Sequence, residues 1–107
     1  MSKEDSYKQT LIQYRLEQAR EALGDAQALY NQGRTPQSVV NRSYYAMFYA
    51  VLALLVTIDR GTSKHRGVIA LFDQEFIKQN TFPKEMSAML HRAFDMRLTG
   101  IIVKCLE

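Results

Sequence analysis

The most uniformly apolar part of the chain runs from residue 46 to residue 56. No residue in this stretch is charged, and its apolar side chains fall on every side of a helical wheel. A helix that is apolar all round is a buried helix. Thr57, Asp59 and Arg60 end the stretch before the roughly 20 apolar residues that a membrane span needs. The pattern therefore predicts the central helix of a soluble bundle, with polar, tyrosine-rich first turns at residues 41–45.

An amphipathic pattern ahead of this stretch predicts a helix over about residues 7–30. Its expected buried stripe has spacings of three and four: Ile12, Leu16, Ala19, Leu23, Ala26 and Tyr30. Gly33 marks the end of this helix. Thr35 as N-cap and Pro36 as first helical residue then start the central helix, which is expected to end at about residue 57 or 58.

Two more helices are predicted after a polar loop. The third is expected to have Thr62 or Ser63 as its N-cap and to run to about residue 79. Pro83 precedes the fourth, whose core spacing fades after Arg97. Because the connections are short, neighbouring helices should be antiparallel. The predicted fold class is all-α, an up-down antiparallel bundle of four to five helices.

Composition and length narrow the class of protein. With 107 residues the chain can bury one core, which predicts a single domain over residues 1–107. The net charge of +3 is compatible with nucleic acid and equally with an ordinary solvated surface. A lone cysteine, Cys105, and a polar N-terminus without a signal peptide favour the cytoplasm. His65 and His91 are far apart and lack ligands at metal-binding spacing, so no metal and no cofactor are expected.

Arg42 and Tyr45 lie one turn apart at the start of the central helix. One interpretation is a guanidinium that pairs with phosphate beside a ring on which a base stacks. The other is an arginine that packs on tyrosine and pairs with Asp95 or another acid.

A basic triplet, Lys64, His65 and Arg66, begins the third helix, with Arg60 nearby. Free backbone N–H groups at a helix start favour an anion, so the triplet is a candidate phosphate site. A solvated basic turn is the alternative. His65 also falls on the apolar stripe of its helix, which is typical of a half-buried structural histidine.

The segment RSYYAMFYA at residues 42–50 is followed by SKHRGVI at residues 63–69 and by Leu71-Phe72. Together these segments resemble the HEPN domain family, in particular its small stand-alone bacterial and archaeal members. The likeness covers about residues 7–98. It implies a bundle of four or five helices that dimerises and that pairs with a minimal nucleotidyltransferase encoded alongside. It also implies that such a protein can be a metal-independent RNase in toxin–antitoxin or defence systems.

The RNase branch of that family carries an arginine, four to six residues and then a histidine on a late helix. After Arg97 the corresponding positions hold Ile102, Val103 and Lys104. Arg60 and His65 match the spacing, but they lie before the third helix. We interpret this match as a coincidence, which leaves the two residues as weak catalytic candidates. Residues 99–107 form an apolar ending where relatives continue into a polar, acidic segment and a last helix, which suggests a truncation or a frameshift.

Three hypotheses follow from the sequence. The first is a partner-binding module of a HEPN–nucleotidyltransferase pair, a homodimer that binds RNA or a nucleotide. The second is a metal-independent endoribonuclease toxin, and the third is an inactive dimeric interaction protein. No membrane association is expected. The expected nucleic-acid or phosphate-binding residues are Arg42, Tyr45, Lys64, His65, Arg66 and Arg97.

Overall fold

The computed structural model of the protein describes residues 2–106, with side chains over residues 2–99. Over these residues the chain is built from four α-helices and one π-helical turn, and it contains no strand. The elements are α1 (Lys3–Asn31), α2 (Pro36–Thr57), α3 (His65–Phe72), the π-helical turn (Asp73–Ile77) and α4 (Lys84–Leu106). The all-α prediction is confirmed.

Side-chain pairs show that α1 and α2 run antiparallel. Lys8, near the start of α1, pairs with Asp59 just beyond the end of α2, at 3.4 Å. Asp25, near the end of α1, pairs with Arg42 near the start of α2, at 3.8 Å. The two pairs advance in opposite directions along the two helices, as the short connection predicts.

The α3 and α4 segments are antiparallel by the same reasoning. Arg66 in the first turn of α3 lies over the Phe94 ring of α4, with its guanidinium carbon 5.4 Å from the ring centroid. Asp73, at the end of α3, instead accepts a hydrogen bond from Ser87 near the start of α4. The π-helical turn therefore lies beside the first turns of α4.

The helix boundaries follow from local chemistry, with one correction. Thr35 caps α2 by accepting a hydrogen bond from the backbone N–H of Ser38, and Pro36 is the first helical residue, as predicted. The N-cap of α3 is Lys64, which makes no side-chain cap, so the prediction of Thr62 or Ser63 was wrong. The Thr62 hydroxyl nevertheless accepts a hydrogen bond from the Lys64 N–H at 3.4 Å, so its bond lies in the loop just before α3.

The buried line of α1 differs from the predicted stripe. Ala22 and Ala26 are its buried residues, whereas Leu23 is 51% exposed and Tyr30 is 74% exposed. Alanine at these positions lets α1 approach α2 closely, and Leu23 then falls at the edge of the contact. The expected burial of Leu23 and Tyr30 was therefore wrong.

The hydrophobic core lies between α2, α3, the π-helical turn and α4. Tyr44, near the middle of α2, and Leu55, near its end, are 0% and 1% exposed. The remaining buried members are Phe48, Val51, Val68, Ile69, Phe72, Phe76, Leu90, Ala93 and Phe94. Several apolar residues of α2, including Met47 and Leu54, are only partly buried. Five of its 22 residues are buried. The prediction of a helix that is buried on every side was therefore wrong.

The length argument against a membrane helix was also wrong. At 22 residues, α2 reaches a mean hydropathy of 1.4 and is the one described helix long and apolar enough to cross a membrane. The core helix of a soluble bundle has the same length and composition. A cytoplasmic location and a single domain over residues 1–107 therefore stay predictions.

Beyond Arg97, where the core spacing of the sequence fades, the chain remains helical. The backbone of α4 continues past Thr99 to Leu106 without a break. Helix propensities differ by less than about 1 kcal/mol for residues other than proline, so a β-branched stretch can continue an established helix. The side chains of residues 100–107, including Cys105 and the apolar tail, lie outside the described residues, and so do the expectations that rest on them.

Candidate phosphate-binding site

Arg97 of α4 reaches back onto the tyrosines at the start of α2. Its guanidinium carbon lies 4.8 Å from the centroid of Tyr44 and 5.7 Å from that of Tyr45. One terminal nitrogen donates a hydrogen bond to the Tyr45 hydroxyl at 3.3 Å. This cation is attracted by the faces of two aromatic rings, and no carboxylate among the described residues pairs with it.

Arg42 approaches the same tyrosine from the side of α1. Its guanidinium carbon lies 5.7 Å from the Tyr45 centroid. Its acidic partner is Asp25 at 3.8 Å, not Asp95, and this pair is long and partly solvated, with the two side chains 34% and 63% exposed. Such a pair contributes little to stability and leaves Arg42 available to another anion.

A third arginine extends the arrangement. Arg66 lies over the Phe94 ring at 5.4 Å, and Arg97 lies over that ring at 5.7 Å. Arginines and rings therefore alternate in the order Arg42, Tyr45, Arg97, Phe94, Arg66, which we call the arginine–aromatic row. The Nε atoms of Arg42 and Arg97 are buried and have no hydrogen-bond partner within the described part of the chain. Three guanidiniums against neighbouring rings, with one loose acidic partner among the described residues, form a site suited to a polyanion.

His65 lies against this row and is partly buried. Its ring stacks on Phe48 with centroids 4.2 Å apart, and its Nδ1 lies 2.9 Å from the Tyr44 hydroxyl oxygen. Burial, and secondarily the positive charge of Arg97, lower the pKa of His65 below its usual value of 6.5. His65 is therefore neutral at pH 7.

The Tyr44–His65 hydrogen bond restricts what the histidine can do. Burial is the main cause that raises the pKa of Tyr44 to about 12, so the phenol keeps its proton. If the phenol donates to Nδ1, then Nε2 carries the imidazole proton and can donate to a phosphate oxygen. If Nδ1 carries the proton and donates to the phenol, Nε2 is left free to accept a proton.

The structure separates the remaining predicted residues from the row. Arg60 donates a hydrogen bond to Glu75 at 2.9 Å and does not meet His65, which supports reading the Arg60–His65 spacing as a coincidence. Lys64 is exposed and makes no side-chain hydrogen bond or ring contact with another described residue. The basic triplet is therefore split. Arg66 and His65 lie at the row, and Lys64 does not join them in any contact.

One polar cluster was missed by the sequence reasoning. Asp73 accepts hydrogen bonds from the Ser87 hydroxyl and from His91, both at 2.6 Å. Ser87 and His91 are four residues apart on α4, and this spacing was the available signal, but only the fold brings Asp73 opposite them. We call Asp73, Ser87 and His91 the acidic junction. No group of three or more metal-binding side chains occurs in the described part of the chain.

Comparison with known proteins decides the family. The HEPN domain model matches residues 12–100. The chain belongs to the HEPN domain family. Its resemblance to small stand-alone HEPN proteins is thereby confirmed.

Two relatives show which proteins this HEPN chain resembles. A UPF0332 protein of Thermotoga maritima is 44% identical over 93 residues, which cover 87% of this chain and 70% of the relative. A Methanocaldococcus jannaschii protein that carries the name "putative toxin" is 38% identical over 85 residues, 79% of this chain and 57% of the relative. The chain thus spans between about half and about two thirds of the length of these relatives. No solved structure matches it.

Proposed function

We propose that this HEPN chain binds the phosphate groups of RNA or of a nucleotide along the arginine–aromatic row, as the module of a toxin-type system. The observation that carries the proposal is the sharing of Tyr45 by two guanidiniums, each 5.7 Å from its centroid. Two like charges against one ring repel each other, and a bound phosphate would offset this repulsion. Tyr45, which is only partly buried, would add an aromatic surface for a base.

Partners are part of the same proposal. We propose that the chain dimerises and that it binds a nucleotidyltransferase, which regulates what it does to RNA. The family and the toxin names of relatives support a function of this kind. Coexpression with the product of an adjacent nucleotidyltransferase gene, followed by size-exclusion chromatography with light scattering, measures both associations. A monomer that does not co-elute with that product would contradict this part of the proposal.

A metal-independent endoribonuclease is the second candidate, because His65 and Arg97 meet at Tyr44. In such a reaction a base removes the 2′-hydroxyl proton and the 2′-oxygen attacks the adjacent phosphorus. The bond to the 5′-oxygen then breaks as that oxygen takes up a proton from water, and the products are a 2′,3′-cyclic phosphate and a 5′-hydroxyl end. A neutral His65 can accept the first proton at Nε2, and Arg97 can stabilise charge on the phosphorane.

Binding is tested with a fluorescent single-stranded RNA at low salt. Arg97→Met and Arg42→Met are expected to lower the affinity at least about fivefold each, since each removes a charge-assisted contact. Arg92→Met is the matched control, because Arg92 is an exposed arginine of the same helix as Arg97. Equal affinities for Arg97→Met and Arg92→Met would contradict the proposal. Circular dichroism confirms that each variant is folded.

Cleavage is tested separately with the same RNA in EDTA. If the second candidate is correct, a 2′,3′-cyclic phosphate product forms and His65→Gln abolishes it. His91→Gln should retain cleavage, because His91 bonds to Asp73 in the acidic junction and makes no contact with the row among the described residues. Binding without cleavage would leave the first proposal standing and exclude the second.

A further inference from the structure

An open groove lies where the second half of α1 faces the first half of α2. Its volume is about 510 Å³, which falls within the range of small-molecule sites. Ala26 and Val39 supply its apolar floor, and Leu23 lies at its edge. Because Ala26 is a small residue, its side chain fills little of the groove and leaves room for a planar group.

The rim of the groove is polar and aromatic. Gln27 and Asn31 follow each other at a spacing of one turn on α1, and Ser43 faces them from α2. None of these three side chains makes a hydrogen bond to another described residue. Tyr30, on the same rim, is 74% exposed, an unusual position for a large ring that no described partner covers.

The groove adjoins the arginine–aromatic row. Arg42 is the neighbour of Ser43 on α2, and its partner Asp25 is the neighbour of Ala26 on α1. The long Arg42–Asp25 pair therefore lies at the end of the groove that is farther from the turn between the helices. A phosphate bound to Arg42 would place the rest of a nucleotide within reach of the groove.

We propose that this groove binds the base of the nucleotide whose phosphate lies on Arg42, and that it prefers adenine. Tyr30 would stack on the base, since an exposed ring is the usual platform for an unpaired base. The Gln27 and Asn31 amides each offer a donor and an acceptor side by side, the pattern that pairs with N6 and N7 of adenine. The inference rests on the proposed phosphate site. It adds a site for the base, which contacts to the phosphate alone would not select.

The test compares AMP with ribose 5-phosphate, which has the phosphate and the sugar but no base. Isothermal titration is expected to show AMP binding at least about fivefold more tightly, the lower end of what one stacked base contributes. Tyr30→Ala should remove this difference and leave the affinity for ribose 5-phosphate unchanged. Tyr14→Ala is the matched control, because Tyr14 is a 56% exposed tyrosine of the same helix outside the groove. Gln27→Ala combined with Asn31→Ala should abolish the preference for AMP over UMP.

The outcomes separate this inference from the proposal on which it rests. If both ligands bind equally and Arg42→Met weakens both, the groove assignment is overturned and the phosphate site stands. If neither ligand nor RNA binds, both fail. If Tyr30→Ala weakens self-association in light scattering while AMP affinity is unchanged, the groove is a contact between copies and the inference is overturned. UMP binding as tightly as AMP would overturn the assignment to adenine.

Discussion

The two histidines of this chain lie in opposite chemical surroundings. His65 packs among rings beside Arg97, with burial and that positive charge both lowering its pKa. His91 is half exposed, and its partner is the Asp73 carboxylate at 2.6 Å. The first region combines cations with aromatic faces, whereas the second has a carboxylate at its centre.

Because of this difference, we expect the arginine–aromatic row to bind a ligand and the acidic junction to stabilise the fold. A site for a polyanion must keep its cations unneutralised, and the arginine–aromatic row achieves this by holding them on rings and leaving one loose carboxylate nearby. In the acidic junction the carboxylate is already paired, since each oxygen of Asp73 accepts a hydrogen bond from a side chain of α4. We therefore expect changes at the row to affect ligands as well as stability, and changes at the junction to affect stability alone.

The largest effect on stability is expected at Tyr44, beneath the row. Tyr44→Ala should lower the free energy of unfolding by about 3–5 kcal/mol, because it empties a fully buried ring position. Tyr44→Phe keeps the ring and loses only the hydrogen bond to His65, so it should cost about 1 kcal/mol. Urea denaturation measures both. Losses of equal size would show that the hydroxyl, and not packing, dominates this region.

An intermediate effect is expected at the acidic junction. Asp73→Ala removes the acceptor of two hydrogen bonds and should cost about 1–2 kcal/mol, a value reduced by partial exposure to water. Asp25→Ala, which removes a solvated carboxylate, is the matched control and should cost less. RNA affinity should not change in Asp73→Ala. A loss of RNA affinity in Asp73→Ala would contradict the expectation that the acidic junction affects stability alone.

The pH dependence of stability sharpens the contrast between the histidines. Because the pKa of His65 is lower in the folded chain than its unfolded value near 6.5, the unfolded chain takes up the proton first as the solution is acidified. Stability should therefore fall as the pH drops below about 6.5, until the folded pKa is also passed. Melting temperatures between pH 7.5 and 5 should show a smaller decline for His65→Gln than for wild type. If His65→Gln declines as steeply as wild type, burial of this histidine is not the cause.

The smallest effect is expected at Arg60, which belongs to neither region. Arg60→Ala removes an ion pair with Glu75 between two partly exposed side chains and should cost less than about 1 kcal/mol. RNA affinity should fall no further than in Arg92→Met, and any cleavage activity should persist. A specific loss of cleavage in Arg60→Ala would revive the Arg60–His65 spacing as a catalytic motif.

Asp25 allows a test in the opposite direction. Since its carboxylate competes with phosphate for Arg42, Asp25→Asn should raise the affinity for RNA by a few-fold, with little change in stability. Fluorescence titration against wild type at several salt concentrations measures the gain. An unchanged affinity would mean that Arg42 is not a phosphate ligand.

The sequence by itself determined the elements and the fold class of this protein. Thr35-Pro36, Gly33 and the apolar run of α2 act within a few residues of chain, so their effects can be derived from spacing and capping alone. The family could also be identified, because the segment RSYYAMFYA at residues 42–50 is contiguous in the chain.

Only the tertiary structure decided which side chains meet. Arg97 and Tyr45 are 52 residues apart, and Asp73 and His91 are 18 apart, so no local pattern relates them. A helical repeat specifies which residues share a face, but the rotation of that face depends on the size of the side chains packed against it. For this reason Leu23 is exposed although it lies on the predicted stripe, and Lys64 lies apart from His65 and Arg66. For the same reason the arginines and rings form one row only in the folded chain.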